Sequence, residues 1–336
     1  MKKICFALMG ACIVLGSCST GEAAASAAAQ LLGGSSQALL FLDCKAVSEN
    51  EIEFEFAQPV KVISLSFDPV LAIALIEDGS TVRVTIEEVP KPGIRFMADL
   101  LAEDADKNTI NVLVPFTSRN NRMPKLAINE LRTVYSKPRS EFIEFKMLTA
   151  GNLGAIRVFI AGNYKAPLVY EFSPVEVKEG EYVTLHLRTL DADSRDEYGD
   201  DLAESGGTDS SATARDFWIP DSAKLLHNTD AVYVLDQDDK ALDAVMISEN
   251  PDQWWTKEYF AEAADFLFKQ GAWKSPDGKI CRPADAVNTY NSRTAATRSI
   301  SRDETMENTH SAADWYITAN SGATPGKPND PKRFSN

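Results

Sequence analysis

Histidine is scarce in this chain, with 3 in 336 residues, and none of His186, His227 and His310 has the HExxH or HxH companion of a zinc hydrolase. No GxSxG elbow offers an exposed serine nucleophile. No CxxC or paired CxxH spacing offers a structural zinc site, and 5 cysteines this scattered are no disulfide framework. Gly322 to Lys327 has three residues between its glycines where a phosphate loop has four, and Pro328 stands where Ser or Thr would meet magnesium. Long basic runs are missing as well. Lys and Arg total 34 against 49 Asp and Glu, a formal charge of −15, and such a field repels DNA and RNA. No apolar run reaches the ~20 residues that cross a bilayer as a helix. A paired-carboxylate hydrolase stays open because acids abound, but nothing in the pattern selects two of them.

What is present begins with an address. Lys2 and Lys3 precede a short apolar stretch, Ile4 to Leu15, which runs into Leu15-Gly16-Ser17-Cys18. Positive charge, short apolar run, small residues and cysteine in this order resemble the lipobox of bacterial lipoproteins. The resemblance implies that residues 1–17 are a signal peptide and that Cys18 carries the lipid. It also implies a bacterial envelope membrane, expected to be the outer one, as the place of anchoring. A single acyl chain binds membranes only reversibly, so a multiply acylated cysteine is what the anchor requires. The Ala-, Ser- and Gly-rich residues 18–37 read as a flexible tether, spanning about 25 Å as a coil. With Cys5 and Cys12 in the leader, Cys44 and Cys281 are the thiols left. The sequence leaves open whether they pair or are two small buried side chains.

Residues 38–117 read as a first domain. Glu51-Ile52-Glu53-Phe54-Glu55-Phe56 alternates strictly, putting Ile52, Phe54 and Phe56 on one face. Ile63, Leu65 and Phe67 alternate with serines. Val70 to Ile76 is a continuous apolar run, as in a strand buried on both faces. Asp78-Gly79 is a turn signal, Thr81 to Ile86 alternates again, and Ile94 to Ala102 follows Pro92-Gly93. About seven short strands with frequent turns are the spacing of a β-sandwich. The segment resembles the bacterial Ig-like domains of surface and S-layer-associated proteins. The turn through Glu103, Asp104, Asp106 and Asn108 begins like a calcium loop, yet the glycine and the distant glutamate are missing. A solvated turn is the preferred reading there.

Residues 118–125 read as a linker into a second domain, 126–329, with 330–336 as a tail. Leu126 to Met147 holds two strand patterns, Ala127 to Leu131 and Phe142 to Phe145, around a turn-forming segment with Pro138. Ile128-Asn129-Glu130, Phe142-Ile143-Glu144, Leu225 to Asp236 with Asp243-Ala244-Val245, and Trp315-Tyr316 with Thr324-Pro325-Gly326-Lys327-Pro328-Asn329 follow in order. Together they resemble the lamin-tail domain, an Ig-like β-sandwich also present in exported bacterial proteins. Phe145-Lys146-Met147 departs from the asparagine and loop that usually follow the second strand. Asn129 is placed to tie down a neighbouring loop, as a buried amide must.

Two insertions interrupt this domain. Residues 191–216 carry nine acids, seven of them between Asp191 and Glu204, and read as a mobile, solvated loop, with calcium as the weaker alternative. Residues 248–314 hold Trp254-Trp255 and a helical pattern in which Tyr259, Phe260, Ala263, Phe266 and Leu267 share a face and Gly271 marks the stop. Core packing is the preferred account of that face, and partner binding anchored by Trp254 and Trp255 is the alternative. Arg293 to Arg302 reads as a mildly basic loop. The expected fold is therefore all-β: two tandem Ig-like β-sandwiches, the second with a helical insertion. The expected function is that of a membrane-anchored, non-enzymatic envelope lipoprotein acting in adhesion, scaffolding or binding of a protein or envelope partner. It calls for no cofactor and no nucleic acid. The alternative is an accessory or catalytic component of a secreted hydrolase or nuclease system.

Overall fold

The computed structural model describes residues 39–220, 223–252, 254–291 and 293–335; the expected signal peptide, Cys18 and the expected tether lie outside the described residues. The fold is mainly β, with several sheets and one short α-helix among the described residues. Two units divide it. One takes the chain to Glu88 and resumes at Phe96–Phe116; the other holds Val89–Arg95 and everything from Thr117.

The first unit is a six-stranded sheet of β1 (Phe41–Ala46), β2 (Glu51–Asp68), β3 (Ile73–Glu77), β4 (Gly79–Ile86), β5 (Arg95–Glu103) and β6 (Thr109–Thr117), in the order β3-β4-β2-β5-β6 with β1 also on β2. The 18-residue β2 organises it: Glu51–Val60 pairs with β4 and Lys61–Asp68 with β5. Alternation is fulfilled where it was strictest. Ile52, Phe54 and Phe56 are buried, as are Val82, Val84 and Ile86. Elsewhere the pattern is broken. A register shift between Val62 and Ser64 turns Ile63 to solvent while Phe67 stays in the core. The apolar run at Val70 to Ile76 is not a strand buried on both faces: Val70 is 88% exposed and β3 pairs only with β4 at the sheet edge. The Asp104 turn is closed by its own carboxylate, which accepts from the amides of Asp106 and Asn108 and from the side chains of Asn108 and Gln58. Burial works against the charge on Asp104, but these bonds outweigh it and hold the carboxyl below its ordinary range.

The second unit contains β7 (Leu126–Arg132), β8 (Phe142–Met147), β9 (Gly151–Asn152), β10 (Arg157–Ile160), β11 (Leu168–Glu171), β12 (Glu176–Val177), β13 (Tyr182–His186) and β14 (Arg215–Trp218). It continues with β15 (Asp230–Leu235), β16 (Ala241–Ser248), helix α1 (Glu258–Lys269), β17 (Val287–Asn288), β18 (Ile300–Arg302) and β19 (Trp315–Ile317). One sheet runs β14-β13-β8-β7-β18-β19, a second β11-β10-β15-β16-β17, and β9 pairs with β12. Side chains of both larger sheets and of α1 meet in one buried core, including Ile128, Phe145, Leu185, Val232, Met246 and Leu267. Helix α1 ends as its pattern requires: Gln270 caps it and Gly271 follows at φ +69°.

The hairpin β7–β8 forms, and all seven residues of β7 are buried. Three segments differ from their reading. Ile300–Arg302 is no loop but the strand between β7 and β19, and Arg215–Trp218 closes the acidic segment by pairing in parallel with β13. The acidic segment itself is pinned to the unit. Buried Glu197 accepts from the amides of Ser205 and Asp216, and Asp196 from that of Trp218. Residues 118–125 are likewise tied into the second unit: buried Asn120 donates to the carbonyls of Asn152 and Gly154.

Candidate functional site

The motif residues converge first on a buried carboxylate cluster. A bulge at Asn129 sets Glu130 opposite Glu144 across β7–β8, and neither is exposed at all. Glu130 accepts from Ser299 Oγ at 2.5 Å, Ser301 Oγ at 3.1 Å and the Thr324 amide at 3.0 Å. Glu144 accepts from Asn129 Nδ2 at 3.0 Å and the Gly326 amide at 2.5 Å. Glu304 accepts from the Asn329 amide and from Lys146 Nζ, and Asn329 Nδ2 donates to the carbonyl of Asn129. Burial pushes both Glu130 and Glu144 up, Glu144 well above 4.5 because the Glu130 charge adds to it. The amides that a phosphate loop would offer a ligand are thus spent on internal carboxylates. Beside them, buried Asp243 accepts from the Ile128 amide at 2.7 Å and from Arg302 at 2.6 Å, and the Arg302 guanidinium lies 4.6 Å from the centroid of the Trp315 ring. This cluster closes the fold.

A second constellation was invisible in the sequence. Ser140 Oγ lies 3.1 Å from His186 Nδ1, and His186 Nε2 lies 3.0 Å from Asp216 Oδ1. Serine, histidine and carboxylate in this order are the elements of nucleophilic catalysis. All three are fully buried, and Trp218 stacks on the imidazole with centroids 3.8 Å apart. A nucleophile must reach its substrate, and Ser140 faces protein on every side. Its hydroxyl also lies 3.3 Å from Asp209 Oδ2, so the group reads as an internal hydrogen-bond relay joining β13, β14 and the 133–141 turn.

The accessible site lies on the face carrying α1. Before the helix, Trp255 Nε1 donates to the Cys281 carbonyl at 2.9 Å and its ring meets Phe260 at 5.8 Å. Tyr259 packs edge-on against Phe260 at 4.6 Å and stacks flat on Tyr164 at 5.2 Å, with only 8° between the planes. A cavity of about 380 Å³ opens here, lined by Trp255, Tyr259 and Phe260 on one side and by His227, Glu249 and Lys257 among the polar groups. A second hollow of about 220 Å³ lies beyond Tyr259, between Tyr164, Tyr233 and Phe266 with Glu262 at its rim. Gly162, in the lining of the larger cavity, lets the backbone approach Asp230 closely, since a Cβ there would lie 2.5 Å from Asp230 Oδ2. Buried Asp230 accepts from the Gly162 amide and sits 3.6 Å from His227 Nδ1; burial raises its carboxyl and the His227 contact works against that rise.

Of the residues singled out in the sequence, Trp255 lines this cavity, whereas Trp254 is 78% exposed and is not among the lining residues. Cys18 lies outside the described residues. Cys44 and Cys281 are free thiols, each pushed by burial up to about 12. Among the described residues no group of three or more His, Cys, Asp and Glu is arranged to hold a metal ion. Asp191 illustrates why: its carboxylate takes the Thr208 and Asp193 amides, and the Thr208 contact leads in holding it at about 2.

A mainly β second unit with a sealed carboxylate cluster and an open aromatic face defines the class of this protein. The chain belongs to the family described as TP_1001_2nd, protein second domain, whose model matches residues 124–317. It is similar to a protein of Treponema pallidum (strain Nichols) described as an uncharacterized protein, at 28% identity over 236 residues. The match covers 68% of this chain and 59% of that relative.

Proposed function

We propose that the protein is a lipid-anchored, non-enzymatic envelope protein, built of two Ig-like sandwiches with the second of lamin-tail type, that binds a partner through the α1 face of its second unit. The observation that carries this reading is the 380 Å³ cavity lined by Trp255, Tyr259 and Phe260, with Trp254, the chain neighbour of Trp255, left exposed. Large rings left accessible in concave, partly polar surroundings are where binding energy concentrates. The lamin-tail reading draws support from Asn129, Glu130, Glu144, Asp243, Trp315 and Asn329. All six meet in one hydrogen-bonded and stacked cluster although they span two hundred residues. The anchor rests on the leader pattern alone.

Two experiments test the reading. Cys18→Ala is expected to release the protein from membranes and abolish palmitate labelling; full membrane retention would refute the anchor. Crosslinking in intact cells, with protease accessibility to fix the face of the membrane, is expected to capture a partner that Tyr259→Ala loses. A second reading, a hydrolase component, has the Ser140–His186–Asp216 geometry in its favour and the burial of all three against it. Turnover by the purified chain that disappears in Ser140→Ala would make that reading the better one.

A further inference from the structure

We infer that the α1 face binds a neutral glycan, with successive sugar rings lying in the two hollows that share Tyr259. This rests on the reading of the second unit as a binding module and names its ligand class. Four observations carry it. First, the site is double: hollows of about 380 and 220 Å³ adjoin, and Tyr259 lines both. A ligand made of repeating units fits such a pair better than a single small molecule does. Second, the rings between them are held flat. Half-buried Tyr259 packs against Phe260 and backs the 58% exposed ring of Tyr164 at 5.2 Å and 8°, so the stacked pair presents a planar face without ordering cost on binding. The apolar C–H face of a pyranose covers such a ring. Third, polar groups stand among the rings of both hollows: Lys257 and Glu249 at the larger one, and Glu262 with the tyrosine hydroxyls of Tyr164, Tyr233 and Tyr259 at the smaller. Sugar hydroxyls donate and accept at once, so a single ligand type satisfies carboxylates and ammonium together.

Fourth, the main competing occupant of an aromatic groove, a proline-rich peptide, is poorly served. Such peptides offer carbonyls and few N–H groups, so they need donors such as an indole N–H. Trp255 Nε1 is already committed to the Cys281 carbonyl at 2.9 Å, while the free polar groups at the rims include the carboxylates Glu249 and Glu262. Those acceptors would be left without donors by a proline helix and would repel an anionic sugar.

The test uses the chain from Cys18→Ala onward, complete and unlipidated, titrated with neutral di-, tri- and tetrasaccharides of glucose and of N-acetylglucosamine. Oligoproline serves as the peptide arm, and calorimetry or tryptophan fluorescence as the readout. Binding is expected to strengthen from disaccharide to trisaccharide as the second hollow fills. Tyr259→Ala should weaken it by about tenfold or more, the loss of a stacked ring, while Tyr259→Phe retains it. Tyr164→Ala should cost more with the trisaccharide than with the disaccharide. Matching thermal melts of Tyr259→Phe and wild type keep the comparison free of folding defects. Binding of oligoproline but no sugar would overturn the inference. If no probe binds while Tyr259→Ala still loses the cellular partner, the glycan is refuted and the binding module stands. If Tyr259→Ala loses neither, both fail.

Discussion

Glu144 shows how a single side chain records the chemistry of the whole cluster. It is fully buried, faces Glu130 across the hairpin, and is pushed well above 4.5 by burial first and the neighbouring charge second. A carboxyl raised in the native state costs nothing while both states are protonated. As pH rises past the unfolded value the unfolded chain ionises first, so native stability falls until the folded value is passed. Relative to Glu144→Gln, the wild-type urea midpoint is therefore expected to decline from pH 4.5 towards neutrality. Parallel curves for the two proteins would show that Glu144 titrates normally. Ser140 gives the complementary case. Ser140→Ala leaves His186 Nδ1 and Asp209 short of a partner, and a cost of about 1–3 kcal/mol in denaturant titrations is expected. Unchanged stability would mean that the relay does not hold β13 to the turn.

At the scale of elements, the closing segment 324–329 acts as a latch on the hairpin β7–β8. Its amides fill the carboxylates of Glu130 and Glu144, and Gly326 makes this possible with φ +75°. A Cβ at Gly326 would lie 2.5 Å from Ser211 Oγ and 2.8 Å from the Ala214 amide. Gly326→Ala is expected to cost about 1–3 kcal/mol through strain and lost hydrogen bonds, whereas Gly278→Ala, at φ +77° with open space around it, should cost less. Equal losses would place the penalty in the backbone angle alone. The hairpin, the alternating strand at Ile52 to Phe56 and the stop of α1 were legible because each repeats its period long enough to show it. Strands β14 and β18 were not, being 4 and 3 residues long inside polar stretches. The Ser140–His186–Asp216 relay was hidden for a different reason: its members meet only because β14 joins β13 in parallel, which no local pattern encodes. Half of the aromatic site was readable, from the Trp254-Trp255 pair and the helical stripe. The other half comes from Gly162, Tyr164 and His227, which tertiary packing brings to the same face.

Over the whole molecule, charge narrows what the aromatic face can take. A formal charge of −15 sets up a field that low salt leaves unscreened beyond about 10 Å, the Debye length near 0.1 M. The carboxylates Glu249 and Glu262 add to that field at the rims of the two hollows, where Lys257 is one opposing charge. A neutral oligosaccharide gains its energy from ring contact and hydroxyl bonding, both insensitive to ionic strength, so its affinity should change little between low and moderate salt. A sulfated or uronic analogue of the same length must approach against the field. Its binding is expected to be weakest at low salt and to recover partly as salt is added, the reverse of the counterion-release slope shown by proteins that bind polyanions. Duplex DNA should behave as the sulfated analogue does, with no retardation at low salt. The comparison separates shape from charge. If sulfated and neutral sugars bind alike at all salt concentrations, the acidic rim does not reach the site. If the sulfated sugar binds best at low salt, Lys257 dominates the local potential and the ligand is an anion.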